Sequence, residues 1–292
     1  MRLSRQSGVF MHVTSVPGPH GIGDLGDGAR AFVDFLADAE QSMWQFCPLG
    51  PTEPAMANSP YQSTSSFAGN PLLIDLTDLA ERGWLIDDDL EPVPDFDPHA
   101  VDYERVGEYK RSRLRTAFDR FEAEAAEDDR AAFDAFRERE AGWLDDYALF
   151  AALKDEFRRA WIDWPTELKT RDPDALADAR EEHADEIRYR EFVQFCFDEQ
   201  WRALADYADR PIAVTEVGWS VETKGEGRES DEAEQAAFIR RLFELTDHLD
   251  VEALLWVWLH EQADETGAFS GMSLRREDGS ARPAWEAWVS GP

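Results

Sequence analysis

Apolar positions along this chain recur with two periods, and the change of period organises it. Gly8–Val13 is a short, nearly continuous apolar run of the kind that predicts a buried parallel strand. A loop rich in glycine and proline follows from Thr14 to Gly28. Asp27 stands as N-cap of a helix over Ala29–Gln41, whose buried face would be Phe32, Phe35, Leu36 and Ala39 at helical spacing. Trp44–Pro48 is the second strand. Strand, helix, strand in that order predicts a right-handed parallel βαβ unit, hence α/β architecture.

Residues 80–105 are acidic and proline-bearing and read as an irregular connection. From about Glu108 to Tyr207 the period becomes helical. Leu114, Phe118 and Phe121 form one stripe, Trp143, Tyr147 and Phe150 a second, and Phe192, Phe195 and Cys196 a third. All three read as core. Trp164-Pro165 ends one helix, and Asp172-Pro173 opens another with Pro173 in its first turn. The strand pattern then returns at Ile212–Val217 and Leu254–His260. Between them Ser230 caps a helix with Phe238, Leu242 and Leu245 on its buried face, and Pro283 starts a terminal helix carrying Trp285, Trp288 and Val289. These segments divide the chain into residues 1–79, a helical insertion over 80–209, and a return to α/β over 210–292.

Composition narrows the partners. There are 62 acidic against 30 basic residues in 292, a formal charge of −32. Such a surface repels nucleic acid and anionic lipid. Lysine occurs only at 110, 154, 169 and 224, so the chain reads as a salt-adapted, halophilic protein whose self-repulsion salt would screen. Eleven tryptophans and 18 phenylalanines supply the apolar area that a disordered chain lacks. Cys47 and Cys196 sit in apolar runs as reduced core residues. The N-terminal stretch M-R-L-S-R-Q-S-G lacks an apolar signal core, and no segment is apolar enough to span a membrane, so the expected location is cytoplasmic.

Gly21-Ile22-Gly23-Asp24-Leu25-Gly26 satisfies a dinucleotide-binding pattern, but a nucleotide site needs those glycines directly after the strand, and Thr14–His20 intervene. They are expected to shape a loop instead, and no cofactor is expected. The six histidines are scattered and His260-Glu261 lacks a second histidine, so no metal site is expected. Glu40, Asp87–Asp89 and Asp145-Asp146 read as solvated acidic surface. Asn58-Ser59-Pro60-Tyr61-Gln62 follows the second strand. A tyrosine there can stack on a pyranose while polar neighbours bond its hydroxyls, or can pack within its loop.

Residues 8–76 contain G-V-F-M-H-V-T-S-V-P-G-P-H-G-I-G-D-L-G, W-Q-F-C-P-L-G-P-T and N-S-P-Y-Q-S-T-S-S-F-A-G-N-P-L-L-I-D-L in that order. With D-D-Y-A-L-F-A-A-L-K at 145–154 and Q-W-R-A-L-A-D-Y-A at 200–208, the chain resembles the amylomaltases (4-α-glucanotransferases) over roughly residues 5–209. The resemblance implies a barrel enzyme acting on α-1,4-glucans or maltooligosaccharides. It implies that Tyr61 lies in a donor-sugar subsite, with Ser59 and Gln62 as lesser contacts. One local departure is Glu53-Pro54-Ala55-Met56-Ala57, where the family has a glycine-rich link. The family's acid-bearing strings R-x-D-H, E-D-L-G and H-D-N do not occur in this sequence. A retaining glycosyl transfer needs two carboxyl groups about 5 Å apart, one nucleophile and one acid/base.

Beyond a join near Arg210, P-I-A-V-T-E-V-G-W-S at 211–220 resembles the seventh strand of a retaining β-glycosidase. That resemblance makes Glu216 a nucleophile, with Trp256 and Trp258 on the final strand flooring a sugar site. The Asn-Glu pair that carries the clan's acid/base does not occur here. The expected fold is an incomplete or hybrid (β/α)8 (TIM) barrel with a long helical insertion. Strands seven, eight, one and two would leave open edges, which predicts self-association into a homo-oligomer. Three functions compete: glucan transfer by descent, residual glycosidase chemistry at Glu216, and glucan binding without turnover.

Overall fold

Gly8–Phe10 (β1) and Met43–Gln45 (β2) pair in parallel, Val9 opposite Trp44, with the helix Asp27–Asp38 (α1) between them in sequence. The computed structural model of the chain describes residues 7–210, 212–217, 221, 231–246, 251–256, 259 and 271–291. Both strands are shorter than the apolar runs that predict them. Met11 still donates its N–H to Gln45 O at 2.9 Å, and a 3-10 turn over Val13–Ser15 then redirects the chain. β1 is also more open than a buried strand: Phe10 is 61% exposed. On α1 Ala29 and Leu36 are buried and Phe32 and Val33 half-buried, while Phe35 is 59% exposed and Ala39 follows the helix in solvent. Helical spacing permits either arc, and the one containing the small Ala29 packs. Gly26, not Asp27, occupies the cap position, and Asp27 instead pairs loosely with Arg30 across one turn.

The stretch read as irregular holds two short helices, the end of Leu76–Glu81 (α2) and Asp87–Leu90 (α3). Asp89 is not free acidic surface. Its carboxylate accepts from the Ile86 N–H at 2.8 Å and from Arg120 at 2.6 Å, and the arginine holds its pKa below the usual carboxylate range. Asp146 likewise pairs with Arg171 and Arg180. Four longer helices follow: Tyr103–Glu124 (α4), Glu127–Phe157 (α5), Pro173–Glu182 (α7) and Ala184–Ala208 (α8), with a single turn at Thr166–Lys169 (α6). Asp172 caps α7 by accepting from the N–H groups of Asp174 and Ala175, and Pro173 sits in its first turn.

The first and third aromatic stripes form one buried network. Phe121 lies 4.9 Å from Phe192 and edge-on to Trp84 at 5.0 Å, and Phe133 and Phe195 close the cluster. Burying each such ring contributes about 1.5–3 kcal/mol. The second stripe lines the margin of the core: Trp143, Tyr147 and Phe150 are half-buried, Trp143 packing against this cluster and Phe150 against a second one around Leu149, Leu153 and Trp164. Residues 1–208 form one compact unit and residues 209–292 another.

In the second unit Ile212–Val217 (β3) pairs in parallel with Val251–Trp256 (β4), and Glu232–Thr246 (α9) packs on Pro283–Ser290 (α10). Ser230 lies outside the described residues. Asp231 caps α9, accepting from the Glu234 N–H at 2.8 Å while the Glu234 carboxylate accepts from Asp231 N–H at 3.4 Å, a reciprocal capping box. Ala236, Ile239, Leu274, Ala284 and Ala287 are buried, with Phe238 against them and Val289 exposed. Leu242 is half-buried on this helix.

Candidate functional site

The loop carrying Tyr61 is tied down at both ends. Pro54–Met56 forms a 3-10 turn, after which Ala57 and Asn58 take left-handed backbone at φ 52° and 53°. Glu53 O accepts from both Met56 N–H at 3.0 Å and Asn58 N–H at 2.9 Å, which closes the turn. The family's glycine-rich link thus becomes, here, a turn of non-glycine residues, although Ala57 holds a conformation that favours glycine. Ser59, Tyr61 and Gln62 come together on the next turn. Tyr61 N–H donates to Ser59 Oγ at 3.4 Å, Gln62 N–H to Ser59 O at 3.2 Å, and Tyr61 hydroxyl to Cys47 Sγ at 3.9 Å. Tyr61 is 56% exposed.

At the far end Ser65 Oγ accepts from the N–H groups of Phe67 at 3.1 Å and Ala68 at 3.0 Å. Gln194 on α8 then grips the Gly69 backbone from both sides, accepting from its N–H at 2.7 Å and donating to its carbonyl at 3.0 Å. Two contacts bring the loop to α5. Glu53 forms an ion pair with Lys154, and Phe67 stacks on Trp143, centroids 6.1 Å apart and 18° from parallel. Eleven helical residues turn through just over three full turns, so Trp143 and Lys154 share one face. Of the second stripe, Trp143 therefore backs this loop, while Phe150 packs on Trp164.

Beneath the loops lies a buried polar cluster drawn from distant positions. Lys110 on α4 is fully buried, and its ammonium donates to Asp24 Oδ2 at 3.1 Å and to the carbonyls of Leu72 and Ile74, both at 2.8 Å. His20, Asp24 and Asp75 bring ligand-type atoms within 4.8 Å of one another, a spacing that could hold a metal ion. Here the Lys110 ammonium supplies positive charge at Asp24. Burial, then the Lys110 charge, holds the His20 pKa down to about 4, and burial followed by Asp24 pushes Asp75 up. His20 stacks on Tyr109 at 5.6 Å. The glycines of the dinucleotide-like motif serve this packing. Gly21 has φ 77° with the Phe96 ring where a side chain would stand, and a Cβ on Gly26 would lie 2.4 Å from Asp75 Oδ2.

In the second unit, Glu216 is the penultimate residue of β3. Trp256 ends β4, donates its indole N–H to Met272 O at 2.7 Å and packs edge-on to Trp288 at 5.5 Å, so hydrogen bonding and packing engage this ring. Trp258 lies outside the described residues. The structure therefore gathers Ser59, Tyr61 and Gln62 into one turn, and places Glu216 and Trp256 in a separate unit.

The ordered loop, its exposed tyrosine and the buried Asp24–Lys110 hub are built by the segments whose motifs suggested a sugar enzyme. A family described as 4-alpha-glucanotransferase matches residues 11–215. The chain belongs to the 4-alpha-glucanotransferase family. The 4-alpha-glucanotransferase of Thermus thermophilus is 45% identical over 226 residues, 74% of this chain and 44% of that protein. The one from Synechocystis is 42% identical over 212 residues, 72% of this chain and 42% of that protein. The chain thus spans less than half the length of these curated relatives. A solved amylomaltase from Streptococcus agalactiae, in complex with acarbose, superposes at a TM-score of 0.77 with 28% identity, covering 98% of this chain and 66% of that one. That superposition extends past the join near Arg210, where the amylomaltase-like sequence motifs stop. Among the described residues, no helix is long and apolar enough to cross a membrane.

Sequence reasoning on this glucanotransferase-family chain missed three relationships: the His20–Asp24–Asp75–Lys110 cluster, the Glu53–Lys154 ion pair and the Phe67–Trp143 stack. Their members lie far apart in sequence. The one available signal was the place of Lys110, one of only four lysines, midway between Val106 and Leu114 at helical spacing.

Proposed function

We propose that this chain binds α-1,4-glucans through the Ser59–Gln62 turn, with Tyr61 stacking on a sugar ring, and that it does so without efficient transfer. The observation that carries the reading is an exposed Tyr61 held on a doubly anchored loop in a chain of this family. The strings R-x-D-H, E-D-L-G and H-D-N do not occur among these 292 residues, which supports binding over transfer, since transfer requires paired carboxyl groups. The two parallel strand pairs are read as pieces of a (β/α)8 barrel. Phe10 and Met43, exposed on β1 and β2, favour self-association, which light scattering would register as a mass above one chain.

Incubation with maltotriose tests the function. Saturable binding without new sugars, weakened about tenfold by Tyr61→Ala, is the expected result. Glucose plus longer maltodextrins would establish transfer instead, and unchanged binding by Tyr61→Ala would remove the tyrosine from the site. A second reading keeps Glu216 as a glycosidase nucleophile, because β3 forms as a parallel strand with Glu216 next to its end. It predicts β-glycoside hydrolysis that Glu216→Gln abolishes.

A further inference from the structure

Phe67 is 51% exposed, yet it is among the most firmly held residues of its loop. Its N–H is bonded to Ser65 Oγ, and two residues on, Gln194 fixes Gly69 through both backbone groups. Trp143, which supports the ring by stacking, is itself fixed: its indole N–H donates to Glu140 Oε2 at 2.7 Å and its ring leans on Tyr147 at 6.0 Å. A half-exposed aromatic ring on a rigid backing costs little ordering entropy when a ligand covers it.

We infer that Phe67, backed by Trp143, is a second stacking platform for the same glucan chain that Tyr61 contacts. The inference rests on the glucan-binding reading of the Tyr61 turn and extends it to the far end of the loop. Six residues separate the two rings' backbones, at most about 20 Å even if the chain were fully extended. That bound keeps both rings within reach of one extended oligosaccharide, with Phe67 taking sugar rings beyond those seated at Tyr61. The apolar face of a pyranose suits the open part of the Phe67 ring, and the exposed Ser66 lies beside it to meet sugar hydroxyls. The platform therefore sets a preference for glucan length rather than for the first sugar bound.

Calorimetric titration with maltotriose and with maltoheptaose separates the roles. Tyr61→Ala is expected to weaken both sugars. Phe67→Ala is expected to weaken maltoheptaose three- to tenfold and leave maltotriose unchanged, with Phe67→Leu no better than alanine and Phe67→Trp restoring affinity. Circular dichroism of each variant confirms the fold, and because Phe67 is half-exposed the leucine variant retains apolar bulk against Trp143. Wild-type protein that binds maltoheptaose while Phe67→Ala and Phe67→Leu bind it equally well would overturn the platform and spare the Tyr61 site. Wild-type protein that binds neither sugar would overturn the glucan reading itself. Equal weakening of both sugars by Phe67→Ala would make Phe67 a support for the loop, against the inference.

Discussion

The Lys110 ammonium lies 3.1 Å from Asp24 Oδ2 with both side chains shut away from solvent. Removing either partner leaves a buried charge uncompensated, which costs about 3–5 kcal/mol in comparable cases. Lys110→Met should therefore lower the unfolding midpoint sharply. Lys110→Met with Asp24→Asn should recover part of the loss, because the second change removes the stranded carboxylate. Urea unfolding of these two variants and of Asp24→Asn alone checks this; additive losses would mean the two groups are not coupled.

His20 supplies a pH dependence. Its pKa is about 4 in the fold, against 6.5 for an ordinary histidine. Between those values the unfolded chain binds a proton that the fold does not, so the contribution is complete above 6.5 and is lost as the pH falls toward 4. The loss is on the order of 3 kcal/mol. Asp75 acts oppositely, since its raised pKa lets the fold take up a proton more readily as acid is added above the usual aspartate value. His20→Phe keeps an aromatic ring beside Tyr109 and should flatten the dependence between about pH 6.5 and pH 4. A variant with the slope of the parent would show that another group carries it.

The Glu53–Lys154 pair offers a test of how α5 positions the loop. Glu53→Lys should weaken maltotriose binding several-fold with little change in unfolding temperature, the pair being partly exposed. Adding Lys154→Glu should restore binding by reversing the charges. A double variant as weak as the single one would mean that Glu53 acts by some other contact.

The charge of −32 sets the salt response. Far-ultraviolet ellipticity should rise with KCl between about 10 mM and about 2 M, as screening relieves repulsion across the surface. Equal ellipticity at both ends would count against salt adaptation.

Which of these features were legible in the sequence follows from what each depends on. The network of Phe121, Phe192 and their neighbours rests on local helical period, so it was readable, as was the cap at Asp172-Pro173. The orientation of α1 was not, because Phe35 and Val33 both satisfy a helical stripe and only the packing partner selects between them. Trp143, Tyr147 and Phe150 have the spacing of a core stripe, and Phe150 packs on the cluster around Trp164, but nothing in that spacing shows that Trp143 also backs Phe67 of a distant loop. The sugar-contact candidates Ser59, Tyr61 and Gln62 are adjacent in sequence and so were found together. Lys110 required Asp24, Leu72 and Ile74 to be known as its neighbours, which no periodicity encodes.

Gln194 and Gln200 each grasp a backbone amide from both sides, Gly69 for the first and Asp75 for the second. Six residues separate the two glutamines, and six separate the two backbones they hold. The two segments are in effect a matched ruler and scale. A one-residue insertion or deletion in either would leave one glutamine opposite the wrong peptide.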